Sequence, residues 1–257
     1  MTTVRVEWPK EGHARIVLAR PEKHNALGHP ELFAIAKASQ DVADRPCRVV
    51  SIIAEGPSFS VGGDVDSFVK NLDNDIQKWL RHGGLAVNSA IARLKGLDAA
   101  IVVGAQGLVA GGAPGYMAAG DFIIAADDIK INLAYTRIGA SPDAGTSWSL
   151  PRLVGPLRAF EMLALSETID AKKALEWGLV NRVVPVAELH SSVDAMVDRL
   201  LEVPPVTLRN IKRLVATSLE TSLETQLYRE IEGFSAAVGD KEFAPRVKKF
   251  VSKGKAE

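Results

Sequence analysis

The chain has 257 residues, 47% of them apolar, and its 31 lysines and arginines balance 31 aspartates and glutamates. A chain of that size buries a full core as one large domain or one domain with an appendage, and zero net charge removes any long-range pull toward nucleic acid or an anionic membrane. The single Cys47 excludes an internal disulfide framework and a cysteine-based zinc site. The N-terminal MTTVRVEWPK has no apolar signal region and no apolar run approaches the length of a membrane span, so the expectation is a cytoplasmic protein with no metal, nucleic-acid or membrane partner.

Residues 4–8 and 14–19 alternate or cluster β-branched side chains on either side of Gly12 and predict a hairpin. In 30–43, Leu32, Ile35, Ala36 and Val42 recur near helical spacing with Pro46 beyond the end, which predicts a helix. The β-branched run at 48–54 predicts a buried strand ending at Gly56-Pro57, and 99–105 repeats that pattern. Between them, 69–95 is polar through Asn71, Asp73, Asn74 and Asp75, then helical up to Leu94. Strand, turn and helix in this recurring order imply crossovers and a parallel sheet with helices outside it. From Val186 the strands stop, and 188–202, 205–219, 222–238 and 240–252 read as helices punctuated by Pro204-Pro205 and Gly239. The expected organisation is an α/β core over 1–190 and a C-terminal helical region over 191–257.

Two glycine-rich turns each follow a predicted buried strand: FSVGGD at 59–64 and GLVAGGA at 107–113. Glycine lets a backbone N–H approach a substrate oxygen closely and tolerates positive φ. Two such donors converging on one point make an oxyanion hole, able to stabilise an enolate or a tetrahedral oxyanion. Either turn alone reads equally as a tight connection.

The segment FSVGGDVDSF at 59–68 resembles the first signature of the crotonase, or enoyl-CoA hydratase/isomerase, superfamily. AQGLVAGGA at 105–113 resembles its second oxyanion turn, GDFIIAA at 120–126 the strand that follows, and RPEKHNAL at 20–27 its N-terminal element. IGASPDAG at 138–145 and ALEWGLVNRVVP at 174–185 match later landmarks in order, so the resemblance covers almost the whole chain. It implies a crotonase-like spiral of ββα units with a C-terminal helical region. It also implies an acyl-CoA substrate whose carbonyl meets the N–H groups of Gly63 and Gly112, with coenzyme A entering as part of the thioester and no separate cofactor. CoA contacts are then expected from Lys23, His24, Asn25, Ala26, Val61, Gly63 and Asp64. Phe250 and Lys253 resemble the family's terminal residues near adenine and phosphates, against the simpler reading of an amphipathic end with a snorkelling lysine. The family assembles as trimers, often paired, so a homo-trimer or a dimer of trimers is expected. Phe68, Trp79, Leu80 and Leu85 are candidates for acyl contact or for plain helix packing, and His82 is a candidate acid/base with no evident partner.

The hydratases of this family use two glutamates to activate water. Their positions fall here at Gly115 and Tyr135. Glycine carries no proton, and a phenol with an ordinary pKa near 10 is a poor base at neutral pH. The remaining acid/base candidate is Asp143, in SPDAGTSW at 141–148, which also reads as the cap of a helix starting just beyond it. Its setting and the later TSLETQL at 221–227 resemble the aspartate-dependent isomerases, the phenylacetate-pathway epoxide/oxepin-CoA isomerase among them. TSWSLPR at 146–152 resembles the stretch after the nucleophile of an aryl-CoA dehalogenase, whose histidine base has no counterpart near Asn88-Ser89. The leading expectation is proton transfer by Asp143 with Tyr135 shaping the pocket. The alternatives are a hydratase, a dehalogenase or thioesterase using Asp143, and a non-catalytic acyl-CoA binder.

Overall fold

The computed structural model describes residues 2–253, without the side chain of Lys253. Strands β1 (Val4–Lys10) and β2 (His13–Leu18) form the expected antiparallel hairpin. Parallel neighbours β3 (Val49–Ala54), β4 (Ala100–Ala105), β6 (Phe122–Ala126) and β9 (Arg182–Val184) extend it to six strands in the order β1-β2-β3-β4-β6-β9. A smaller sheet pairs β5 (Leu108–Ala110) with β7 (Lys130–Asn132) in parallel and β7 with β8 (Ile169–Asp170) antiparallel.

β3 reads VVSIIA and is buried throughout, because helices cover both of its faces. Val50, Ile52 and Ala54 join a core with Ile35, Ala38 and Val42 of α1 (His29–Ala43) and Ala90 and Leu94 of α3 (Ile76–Gly96). Val49 and Ile53 face Leu189, Val193, Met196 and Val197 of α8 (Leu189–Leu201). Runs apolar on both faces are what a covered parallel sheet requires. The expected division at 190/191 falls inside α8, which packs on the sheet as one of its layers; α9 (Pro205–Thr217), α10 (Leu223–Val238) and α11 (Phe243–Lys253) follow. Among the described residues no helix is long and apolar enough to cross a membrane.

Successive coils of chain lie in register. Ser60 bridges Val109 in parallel, and Leu27 bridges Gly63 in parallel, so the small sheet continues through the first glycine turn into the N-terminal element. Short α2 (Val65–Val69) and α4 (Ala113–Met117) start directly after the two turns, and α5 (Thr146–Val154), α6 (Pro156–Leu165) and α7 (Ala171–Glu176) complete the wall beside β8.

His13 is fully buried where β2 meets β3, with Nε2 2.8 Å from Ser51 Oγ. Burial, reinforced by Arg15, lowers its pKa from 6.5 to about 4. The unfolded chain therefore binds one more proton than the native one between those values, and stability rises with pH across that window. The expected outcome in denaturant titrations is a plateau above pH 6.5 and a loss from this residue of about 3 kcal/mol on descending to pH 4, a loss that His13→Gln removes.

Candidate active site

The two glycine turns abut because their coils are hydrogen-bonded to one another. Ala110 N–H donates to the Ser60 carbonyl at 2.9 Å, and Ser60 N–H to the Leu108 carbonyl at 3.2 Å. Gly62 sits at φ 81°, and a Cβ there would stand 2.5 Å from the Ala110 carbonyl oxygen, so the contact admits no side chain. A Cβ on Gly111 would lie 3.9 Å from the Gly63 nitrogen, which measures how closely the turns approach.

Most donors around them are occupied. Gly62 N–H donates to Ser60 Oγ at 3.1 Å, Gly111 N–H to the Asn132 carbonyl at 3.0 Å, and Val61 N–H to the His24 carbonyl at 3.1 Å. The half-buried Gly63 and Gly112 N–H groups donate to nothing among the described residues. These two donors at adjoining turns are thus free to take an acceptor from outside the chain.

Asp143 lies beside this pair. A Cβ on Gly112 would be 2.8 Å from Asp143 Oδ1, which places the carboxylate against the second turn. Tyr135, in the helical turn Tyr135–Ile138, donates its hydroxyl to Asp143 Oδ1 at 2.7 Å. Burial first, then the nearby Asp143, raises the phenol pKa, so Tyr135 keeps its proton and acts as a donor. The explanation of Asp143 as a helix cap fails: the cap position of α5 is Gly145, with no side-chain cap bond. The Asp143 backbone carbonyl instead accepts from Thr146 N–H at 3.0 Å and Thr146 Oγ1 at 2.8 Å, leaving the carboxylate exposed apart from Tyr135.

The loop is held in a strained form. Ala144 has φ 48°, which for a residue with a side chain persists only where the surroundings impose it, and Gly145 follows at φ 73°, which glycine adopts freely. Its consequence appears at Gly115, where a Cβ would meet the Ala144 carbonyl oxygen at 2.0 Å and Thr146 Cγ2 at 3.1 Å. The space that a hydratase glutamate side chain would enter is filled by the backbone carrying Asp143.

Of the acyl-contact candidates, Phe68 points its ring tip at Gly63, where a Cβ would be 2.6 Å from Cζ. Trp79 meets Phe68 edge-on at 5.8 Å and stacks on His29 at 4.0 Å, whereas Leu80 and Leu85 are exposed. His82 packs on Phe33 at 4.8 Å and edge-on to His29 at 5.7 Å. Asn25 is buried, and its side chain is spent on the fold, accepting from Arg20 N–H and donating to the Glu55 and Ser58 carbonyls. Asp64 is likewise turned inward, capping α2 through Ser67 N–H and meeting Arg20. Lys23 and His24 are exposed, paired with Asp66 at 3.3 Å and Ser58 Oγ at 3.1 Å; Ala26 is buried and Val61 half-buried. Phe250 is exposed on α11, and the Lys253 side chain lies outside the described residues. Sequence reasoning missed Arg20 and Glu31, which lock this region together, because their partners are distant in sequence.

The family model for enoyl-CoA hydratase/isomerase matches residues 9–257. The chain belongs to that family, and so to the crotonase superfamily. It is 30% identical over 244 residues to 4-chlorobenzoyl coenzyme A dehalogenase-1 of Arthrobacter, covering 95% of this chain and 88% of the relative. It is 35% identical over 207 residues to trans-2-decenoyl-acyl-carrier-protein isomerase of Streptococcus mutans, covering 79% and 78%. It is 27% identical over 242 residues to 1,2-epoxyphenylacetyl-CoA isomerase of Escherichia coli, covering 88% and 89%. Among solved structures, an enoyl-CoA hydratase/isomerase of Mycobacterium abscessus superposes with TM-score 0.93 at 30% identity, covering 97% and 96%. An enoyl-CoA hydratase of Thermobifida fusca in complex with CoA gives 0.84 at 28%, covering 92% and 93%. The spiral α/β fold expected from the sequence is thereby found.

Gly115→Ala places a methyl in the Ala144 carbonyl, so it is expected to cost about 1–3 kcal/mol in thermal or denaturant unfolding. It also shifts the Asp143 loop, so any activity lost with Asp143→Asn falls in Gly115→Ala too.

Proposed function

We propose that the chain is an acyl-CoA isomerase that shifts a double bond by proton transfer at Asp143. The observation that carries this reading is the loop placing the Asp143 carboxylate beside Gly112 while its own backbone fills the side-chain space at Gly115. The thioester carbonyl accepts from the Gly63 and Gly112 N–H groups. Asp143 removes a proton from one carbon of the acyl group, and the electron pair moves into the thioester as an enolate held by those two donors. Protonated Asp143 then returns the proton to another carbon of the conjugated system. No water is consumed and no redox change occurs, so coenzyme A is needed only as the substrate's carrier. Tyr135 holds Oδ1 of the carboxylate and leaves Oδ2 to exchange the proton. Each preorganised donor contributes about 3–4 kcal/mol to enolate stabilisation in comparable sites.

CoA is proposed to run along residues 23–26 and 61–64, which are hydrogen-bonded to each other, toward Phe250 and Lys253 of a C-terminal helix. An assembly of three chains, single or paired, is proposed from the family resemblance, with α10 as a contact surface. There Leu223, Leu227, Ile231 and Phe234 form one exposed apolar stripe, larger than a solvated helix carries. A second reading is hydrolytic chemistry with Asp143 as nucleophile, favoured by 30% identity over 95% of the chain to the dehalogenase.

Incubation in deuterium oxide with enoyl-CoA and aryl-CoA thioesters, followed by mass spectrometry, separates the two. Isomerisation gives deuterium uptake or a shifted double bond, lost by about 10²–10⁴-fold in Asp143→Asn. CoA or halide release that depends on Asp143 gives the hydrolytic reading, and turnover persisting in Asp143→Asn removes both. Tyr135→Phe deletes a hydrogen bond to a carboxylate, an interaction worth about 1.5–3 kcal/mol, so kcat is expected to fall by about 10–100-fold with KM little changed. In sedimentation velocity the wild type is expected at three or six chains and Ile231→Asp at one.

A further inference from the structure

Arg20 takes no part in the proposed chemistry, yet it joins the N-terminal element, the start of α1 and the residue after the first glycine turn. The Arg20 side chain is 20% exposed, and its Nη1 reaches the Ala26 carbonyl at 3.1 Å, Asp64 Oδ2 at 3.2 Å and Glu31 Oε2 at 3.3 Å. Ala26 belongs to the segment along which CoA is proposed to lie. Glu31 accepts from Gly28 N–H at 3.0 Å and so fixes the start of α1. Asp64 accepts from Ser67 N–H at 3.3 Å at the start of α2, donates its own N–H to the Leu27 carbonyl at 3.1 Å, and directly follows Gly63.

The two carboxylates are only 6% and 11% exposed and share this one cation. Without the guanidinium they would face each other in a poorly solvated space, a costly arrangement that the chain relieves by moving apart. Asp64 N–H is held by the Leu27 carbonyl, and Leu27 N–H donates at 2.8 Å to the Gly62 carbonyl, which shares a peptide with the Gly63 N–H, so movement of Asp64 is passed through Leu27 to that donor. Movement of Ala26 alters the wall of the CoA path. A displacement of about 1 Å at a positioning element costs about 10²-fold in rate.

We propose that Arg20 is a positioning residue that ties occupancy of the CoA-lining segment to the aim of the Gly63 N–H, so that contacts made by the nucleotide end of the substrate raise kcat. This rests on the reading of Gly63 and Gly112 as the carbonyl site. Binding energy from a remote part of a substrate speeds reaction only if it is transmitted to the reacting centre; the three contacts of one guanidinium are a direct route between those places.

The test compares an isomerisable acyl-CoA with the N-acetylcysteamine thioester of the same acyl group, in wild type, Arg20→Met and Arg20→Lys. The expected result is a large kcat advantage for acyl-CoA in wild type. In Arg20→Met that advantage collapses, through a loss of about 10–100-fold on acyl-CoA with little change in KM, and Arg20→Lys recovers part of it. The carbonyl stretch of a bound saturated acyl-CoA, lowered in wild type by the two N–H donors, moves back toward the free thioester in Arg20→Met. Equal losses on both thioesters, or an unmoved carbonyl band, overturn the proposal. Should Arg20→Met not fold, Asp64→Asn keeps an acceptor for α2 and removes the charge facing Arg20; a full CoA advantage in that variant overturns it as well. A wild type that lowers no carbonyl band defeats the carbonyl-site reading and this one together, whereas a wild type that does so and an Arg20→Met protein that matches it defeat this one alone.

Discussion

Hydrogen bonds between successive coils of the chain are the constraint on which the rest depends. Each coil contributes a strand to the large sheet and a short rung to the small one, and the rungs bridge in parallel, Leu27 to Gly63 and Ser60 to Val109. A parallel ladder fixes which residues face each other, so turns leaving equivalent rungs must emerge side by side. That alone brings together two N–H groups separated by about fifty residues of sequence. The glycines are needed because the coils meet through their backbones: a methyl at Gly62 would overlap the Ala110 carbonyl.

Upon this frame the Asp143 carboxylate is carried by a loop that is not regular at all. Ala144, between the helical turn 135–138 and α5, takes a left-handed backbone angle that costs a residue with a side chain, and Gly145 follows in the same region. The distortion pushes the Ala144 carbonyl into the room beside Gly115 and presents the Asp143 carboxylate to Tyr135. Burial keeps the phenol protonated, so the pair works as donor and acceptor.

Much of this was legible in the sequence, and for identifiable reasons. Strands such as 48–54 are apolar on both faces, and the glycine turns follow them immediately, so local pattern and topology agree. The helices after Val186 were equally plain from periodicity. What the sequence did not carry was partnership at a distance: Arg20 meets Asp64 across forty-four positions, and the RPEKHNAL element that begins with it does not name that partner. Nor did it carry what the side chains of Asn25 and Asp64 do, which is to hold the N-terminal element to the first turn. A motif records that residues occur together without recording which of them face inward.

The overlap between Gly115 and the Ala144 carbonyl bears on how such chemistries diverge. A glutamate at 115 and the present loop exclude each other sterically, so the worth of either depends on the state of the other. Seating any side chain at 115 would first require the backbone at 143–145 to be remodelled, because the Ala144 carbonyl oxygen occupies the place of its first atom. A change at 115 and a change in the 143–145 loop are therefore coupled in sequence space, and packing penalises the first without the second.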